Sequence, residues 1–238
     1  MFFTRIGNQF LQGRLYSTLP KFTSKPATKP RRWVPYAIFS ASFFTGWLVT
    51  QHMTFTDLVA YYRYDALPES SEEVQSYQNN LLNRLAKLPV VRQLEECGYT
   101  EIFPKREPDD RMIDRNLTSP GGIAIPPKYY YNPKTKDTVA IYHLGMKLTG
   151  YPFIIHGGIL ATVMEDQMRE SVRMIKGKKG EMTKELSLSY KLPTFANQFV
   201  VVRTTSVEEY GSKVKFGVEV MDQTGNRTLV TGHGTFTV

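Results

Sequence analysis

The chain has 238 residues, 41% of them hydrophobic, and a formal net charge of +8. That length allows one ordinary domain with a tail, or two small ones. One cysteine, Cys97, excludes an internal disulfide framework, and the four histidines are too scattered for zinc-binding spacing, so neither a metal nor another cofactor is expected.

The positive charge sits at one end. Residues 1–32 hold seven of the 30 basic side chains and no acid, which leaves 23 basic against 22 acidic residues in the remainder. A nucleic-acid-binding face is therefore not expected. The make-up of residues 1–32, basic with hydroxyl and aromatic residues, is that of a mitochondrial presequence. The run Trp33–Thr56 then carries no Asp, Glu, Lys or Arg. Its apolar heart, Val34–Val49, approaches the roughly 17-residue minimum for a spanning helix, and Trp33 and Trp47 suit the two interfaces. Residues 33–53 are read as a transmembrane helix. Arg31 and Arg32 before the span, against Asp57 and Asp65 after it, predict a single-pass inner-membrane protein whose C-terminal part faces the intermembrane space.

Residues 54–120 read as helices followed by a linker. Ser70-Ser71-Glu72-Glu73 has the form of a capping box, and Val74, Tyr77, Leu81, Leu85 and Leu88 continue at helical spacing. Pro89 starts a second short helix that Gly98 ends. The proline- and charge-rich stretch Glu101–Gly122 reads as a linker or wrapping loop.

From Gly122 the pattern turns to strands: GIAIPPKYYY and TVAIYHLGMKL around a turn at 132–136, then one helix, then four further strands. In Tyr151–Ile175, His156-Gly157-Gly158 opens that helix, and Leu160, Val163, Met164, Met168, Met174 and Ile175 form its apolar arc. Gln167 and Ser171 blemish the arc. Glu165 lies on the side of Gly158 and Ala161, looking along a groove towards the free amides of a helix N-terminus. Asp166 falls beside Thr162, Arg169 and Arg173, where a solvated ion pair is expected. Periodicity by itself gives an α+β domain with one central helix.

His156-Gly157-Gly158, then Ala161 and an acid at Glu165, resembles the central-helix motif of hotdog-fold acyl-CoA thioesterases, of the 4-hydroxybenzoyl-CoA and phenylacetyl-CoA type. The resemblance covers residues 121–238. It implies an antiparallel sheet wrapped round the long helix, a homo-oligomer with sites between subunits, and hydrolysis of acyl-CoA to a free acid and coenzyme A. It further implies catalytic roles for Glu165 as base or nucleophile, the Gly158 amide as carbonyl polariser and Thr183 as its helper. His156 and Gly157 would shape the substrate turn, and Lys176, Lys178 and Lys179 would meet coenzyme A phosphates. The chain departs from the pattern in having glutamate rather than aspartate at 165, and Gly150 where some relatives carry asparagine. A hotdog module that binds acyl groups, or acts in assembly at the membrane without turnover, is the competing reading.

Overall fold

The computed structural model describes residues 33–50, 54–104, 111–177 and 181–238. The expected presequence, residues 1–32, lies outside them. Helix α1 spans Val34–Thr50, 17 residues without a charge. At 1.5 Å per residue it is about 25 Å long, short of the ~30 Å hydrocarbon layer. Among the described residues no helix is long and apolar enough to cross a membrane, so the span expected over 33–53 is present only as this shorter helix.

The body of the protein is one antiparallel sheet with a helix on its inner side and three helices on its outer side. The sheet consists of β1 (Thr100–Ile102), β2 (Lys128–Asn132), β3 (Asp137–Leu144), β6 (Met182–Tyr190), β7 (Gln198–Tyr210), β8 (Lys213–Met221) and β9 (Thr228–Thr237), in the order β1-β2-β3-β7-β8-β9-β6. A small hairpin of β4 (Thr149–Tyr151) and β5 (Ile154–Ile155) precedes the central helix α5, Gly157–Lys176. β2 and β3, then α5, then four strands, with the strand after the helix at the far edge of the sheet, is the wrapped arrangement that the resemblance implied, and the short β1 extends it at the opposite edge.

Strand periodicity explains why β3 and β7 are apolar along nearly their whole buried lengths. Successive side chains point to opposite faces, and both faces of these strands are covered. Ala140, Tyr142, Leu144, Val200 and Val202 join Leu160, Val163, Met164, Met168 and Val172 of α5 in the inner core. Val139, Ile141, Phe199 and Val201 face the outer helices α2 (Phe55–Tyr62), α3 (Glu72–Ala86) and α4 (Pro89–Glu96). On α3 the buried residues are Val74, Tyr77, Leu81 and Leu85, the stripe the sequence marks. Proline stands at the first turn of α4, where its missing N–H costs nothing, and Gly98 (φ 81°) ends that region as expected. The hydroxyl of Ser71, which precedes α3, makes no capping bond, so the expected capping box is absent.

The two polar interruptions of the α5 arc are both buried and both bonded. The Gln167 amide donates to the Thr138 carbonyl (3.0 Å) and the Thr204 hydroxyl (2.9 Å), and the Ser171 hydroxyl donates to the Gln167 carbonyl (2.9 Å). Gln167 ties the helix to β3 and β7, and Ser171 braces Gln167 from within the helix, so a polar side chain here fixes register where an apolar one would only fill space.

His143 of β3 is enclosed between sheet and outer helices, edge-on to Phe199 with ring centroids 5.2 Å apart. Neither ring nitrogen has a hydrogen-bond partner. Burial pushes its pKa down to about 4; the Asp57 carboxylate opposes that shift and the Arg84 guanidinium reinforces it. Because the unfolded chain takes up this proton first, the stability His143 contributes is fully present above about pH 6.5 and is lost as pH falls towards 4. Urea denaturation at about pH 5 should show roughly 2 kcal/mol less stability from this group than at neutral pH. His143→Phe should remove that part of the pH dependence; an unchanged profile would mean that the imidazole stays hydrated.

Candidate active site

The site is built at two places along α5. At its N-terminus His156 is the capping residue: its Nδ1 accepts the Gly158 N–H at 3.0 Å. The ring has room because Gly150 lies beneath it; a β-carbon there would sit 2.8 Å from His156 Cδ2. So the glycine at 150 has a local cause, the close approach of this ring. The Gly158 amide, expected to polarise a carbonyl, is thus already bonded, whereas the Gly157 N–H has no acceptor among the described residues. The Gly157 carbonyl accepts the Tyr190 hydroxyl at 2.9 Å, which fastens the helix start to the end of β6. Beside it opens a cavity of about 360 Å³, lined by Ile154, Ile155, Leu160, Tyr190, Leu192 and Pro193. Removing the cap by His156→Ala should cost about 1 kcal/mol in urea denaturation while freeing the Gly158 amide.

The second place is two turns further on. The Thr183 hydroxyl donates to Glu165 Oε1 at 2.6 Å, and Arg169 Nε lies 3.3 Å from the same oxygen, one turn along the helix. Thr183 reaches the carboxylate because β6 has a bulge between Thr183 and Glu185 against β9. In an unbroken strand residues 183 and 186 would face opposite ways; the bulge turns both inward. A cavity of about 160 Å³ adjoins Glu165, lined also by Arg111, Met112, Thr162 and Arg169. The Glu165 side chain is one-third exposed, so water reaches it.

Asp166 is where the sequence expectation fails. Rather than a solvated pair with Arg169 and Arg173, it is 3% exposed and held by Arg111 Nη1 at 2.6 Å, by the Tyr142 hydroxyl at 2.8 Å and by the Tyr129 hydroxyl. The physical reason is sheet curvature, which brings the inward side chains of β2 and β3 over this face of α5. Arg111 also meets Glu170 (2.9 Å) and Glu181 (3.3 Å), and Arg173 Nε meets Glu181 at 3.1 Å. Two arginines and three carboxylates therefore join the stretch between β1 and β2, the middle of α5 and the chain just ahead of β6. Glu181 lies two residues before Thr183 and Asp166 one residue after Glu165, so the network fixes the backbone on both sides of that contact. The sequence alone hides Arg111, because it sits in a stretch composed like a linker. Tyr129 and Tyr142 carry a faint signal: tyrosines on the buried face of apolar strands need a polar partner.

Of the expected coenzyme A lysines, Lys178 and Lys179 lie outside the described residues. Lys176 Nζ is bonded to Glu209 (2.7 Å) and to the Gly211 carbonyl (3.2 Å), which clips the end of α5 to the β7–β8 turn.

No protein-family model matches the chain. The uncharacterized mitochondrial membrane protein FMP10 of Saccharomyces cerevisiae is 58% identical over 215 residues, which cover 89% of this chain and 88% of that one. The acyl-coenzyme A thioesterase THEM4 of Mus musculus is a more distant relative, 30% identical over 124 residues, and the match spans about half of each chain (52% and 53%). Among solved structures, the Escherichia coli PaaI protein from the phenylacetic acid degradation operon superposes with a TM-score of 0.39 at 13% identity, covering 43% of this chain and 72% of that one. An identity of 58% sustained over nearly the full length of both chains places the protein in one family with the yeast protein, and the chain belongs to the FMP10 family.

Proposed function

We propose that the chain is a membrane-anchored mitochondrial acyl-CoA thioesterase, with residues 121–238 as its hotdog domain. The observation that carries this reading is the Thr183–Glu165 hydrogen bond beside a water-accessible cavity on the central helix. A carboxylate so placed can take a proton from water as that water adds to a thioester carbonyl. The C–S bond then breaks, and the coenzyme A thiolate leaves and is reprotonated. The carbonyl oxygen needs a donor, and helix-terminal amides with the positive helix end supply one.

Within one chain these parts are too far apart. Gly157 and Gly158 precede Glu165 by seven or eight residues, roughly 10 Å along the helix axis, whereas water and carbonyl oxygen must meet within ~3 Å of their partners. The reading therefore requires a second copy that brings its helix N-terminus to Glu165. The edge strand β6 supports this, since its outer edge pairs with no strand among the described residues and it carries Thr183. Glu165 acts as base or nucleophile, Thr183 orients it, and the Gly157 amide shares or replaces the role expected of Gly158. His156 and Gly157 form the substrate turn, and Lys176 at the far end of the helix, together with Lys178 and Lys179 outside the described residues, is proposed to meet coenzyme A phosphates.

The name of the yeast relative supports placement at a mitochondrial membrane. Residues 1–32 are proposed as presequence and 33–53 as a single inner-membrane span, with the C-terminal part in the intermembrane space. Local thinning of the bilayer accommodates a helix of α1's length.

The non-catalytic reading draws on two observations: the Gly158 amide is already capped, and Glu165 is already engaged by Arg169. Hydrolysis of an acyl-CoA series by the full chain decides between them, with Glu165→Gln as the background. Thioester cleavage above that background supports the enzyme; binding of acyl-CoA without cleavage means an acyl-binding module.

A further inference from the structure

Helix α2 is turned against its own amphipathicity. Phe55, Leu58, Val59 and Tyr62, at positions i, i+3, i+4 and i+7, form one apolar stripe. That stripe faces outward: Phe55 is 79% and Tyr62 76% exposed, and Leu58 and Val59 are only half-buried. The side facing the protein holds Ala60 and Asp57, the latter 1% exposed.

The roll of the helix is fixed at several points. Arg84 Nη1 meets Asp57 at 3.0 Å, the Tyr77 hydroxyl donates to the same carboxylate at 3.2 Å, and the other Asp57 oxygen accepts the Thr54 N–H at 3.0 Å. Just past the helix, Lys147 pairs with Asp65 at 2.7 Å. A methyl group at Gly121 would touch the Tyr61 backbone at 3.4 Å, so the helix lies close against the body there. Turning the stripe inward would break the Asp57 pair and leave Arg84 unmatched. The fold thus holds an acid inside and leaves Phe55 and Tyr62 in the open, with Leu58 and Val59 half-covered between them.

We propose that this stripe lies in the headgroup region of a lipid bilayer and sets the body of the protein against the membrane surface. The proposal rests on the anchored reading above. Phe55 belongs to the same uncharged run, Trp33–Thr56, that contains α1. From Thr50, the last residue of α1, to Phe55 the chain spans at most about 18 Å. A helix tethered that closely to a membrane-embedded segment meets the interface, where tyrosine is enriched and amphipathic helices bury their apolar side. Arg63, exposed and next to Tyr62, puts a cation at the edge of the stripe, where anionic lipid headgroups would meet it.

The test uses the full chain in vesicles of phosphatidylcholine and phosphatidylglycerol, with the exposed Cys97 replaced by serine. A polarity-sensitive fluorophore is attached at Tyr62→Cys and, as control, at Lys213→Cys at the start of β8. Both native residues are exposed, so neither change threatens folding. The expected result is a blue-shifted Tyr62 label that brominated lipid quenches, beside a control label that stays water-like and unquenched. Three results overturn the proposal. If the chain floats with the vesicles but both labels are equally water-like, the anchor stands and the stripe does not touch lipid. If the Tyr62 label is shielded without lipid as protein concentration rises, a second copy covers the stripe instead. If the chain fails to float at all, the anchored reading falls and this proposal falls with it.

Discussion

Arg111→Met is expected to be the most destabilising single change in the chain. The guanidinium is enclosed, at 4% side-chain exposure, and is the common partner of Asp166, Glu170 and Glu181. Without it three buried carboxylates share Arg173 and the hydroxyls of Tyr129 and Tyr142. Removing one member of a buried charge group typically costs about 3–5 kcal/mol, because the charges left behind stay desolvated. Urea denaturation should register a loss of that order, or failure to fold. Adding Asp166→Asn and Glu170→Gln to the same chain should recover part of it, since the amides need no counter-ion. No recovery would mean that Arg111 acts through packing rather than charge. Asp166→Asn alone should lower stability as well, an outcome that helical spacing, with Asp166 at the surface, does not anticipate.

Glu165→Gln should have the largest effect on chemistry. It keeps the shape and removes the charge, so proton abstraction from water is lost and turnover of acyl-CoA should fall by ~100-fold or more. Its side chain is one-third exposed, so stability should barely change. Thr183→Ala deletes one hydrogen bond to the carboxylate, worth about 1 kcal/mol, and should lower turnover by less than ~10-fold. Initial rates with a fixed acyl-CoA at saturation measure both. Glu165→Gln at the parent rate would exclude this carboxylate as base and nucleophile together.

What could be read from the chain without its fold was whatever depends on neighbours in sequence. The stripe of α3, the Pro89 start and Gly98 end of its successor, the strand runs after Gly122 and the apolar arc of α5 are set by periodicities of 3.6 and 2 and by single-residue backbone preferences. The pairing of Glu165 with Thr183 came from the family resemblance, and its geometry depends on a bulge that no spacing rule foretells. Tertiary structure decided everything that turns on which faces meet. It moved Asp166 from the surface to the interior, because a curved sheet lays Tyr129 and Tyr142 over α5. It drew Arg111 out of a stretch that reads as linker and made it the counter-ion of three acids, two on α5 and one just ahead of β6. It gave the Gly158 amide to His156, whose ring fits only above the side-chain-free Gly150. And it turned the apolar stripe of α2 outward, because Asp57 finds Arg84 and Tyr77 inside, and pairing a buried charge constrains the roll of a short helix more than covering its apolar side chains does.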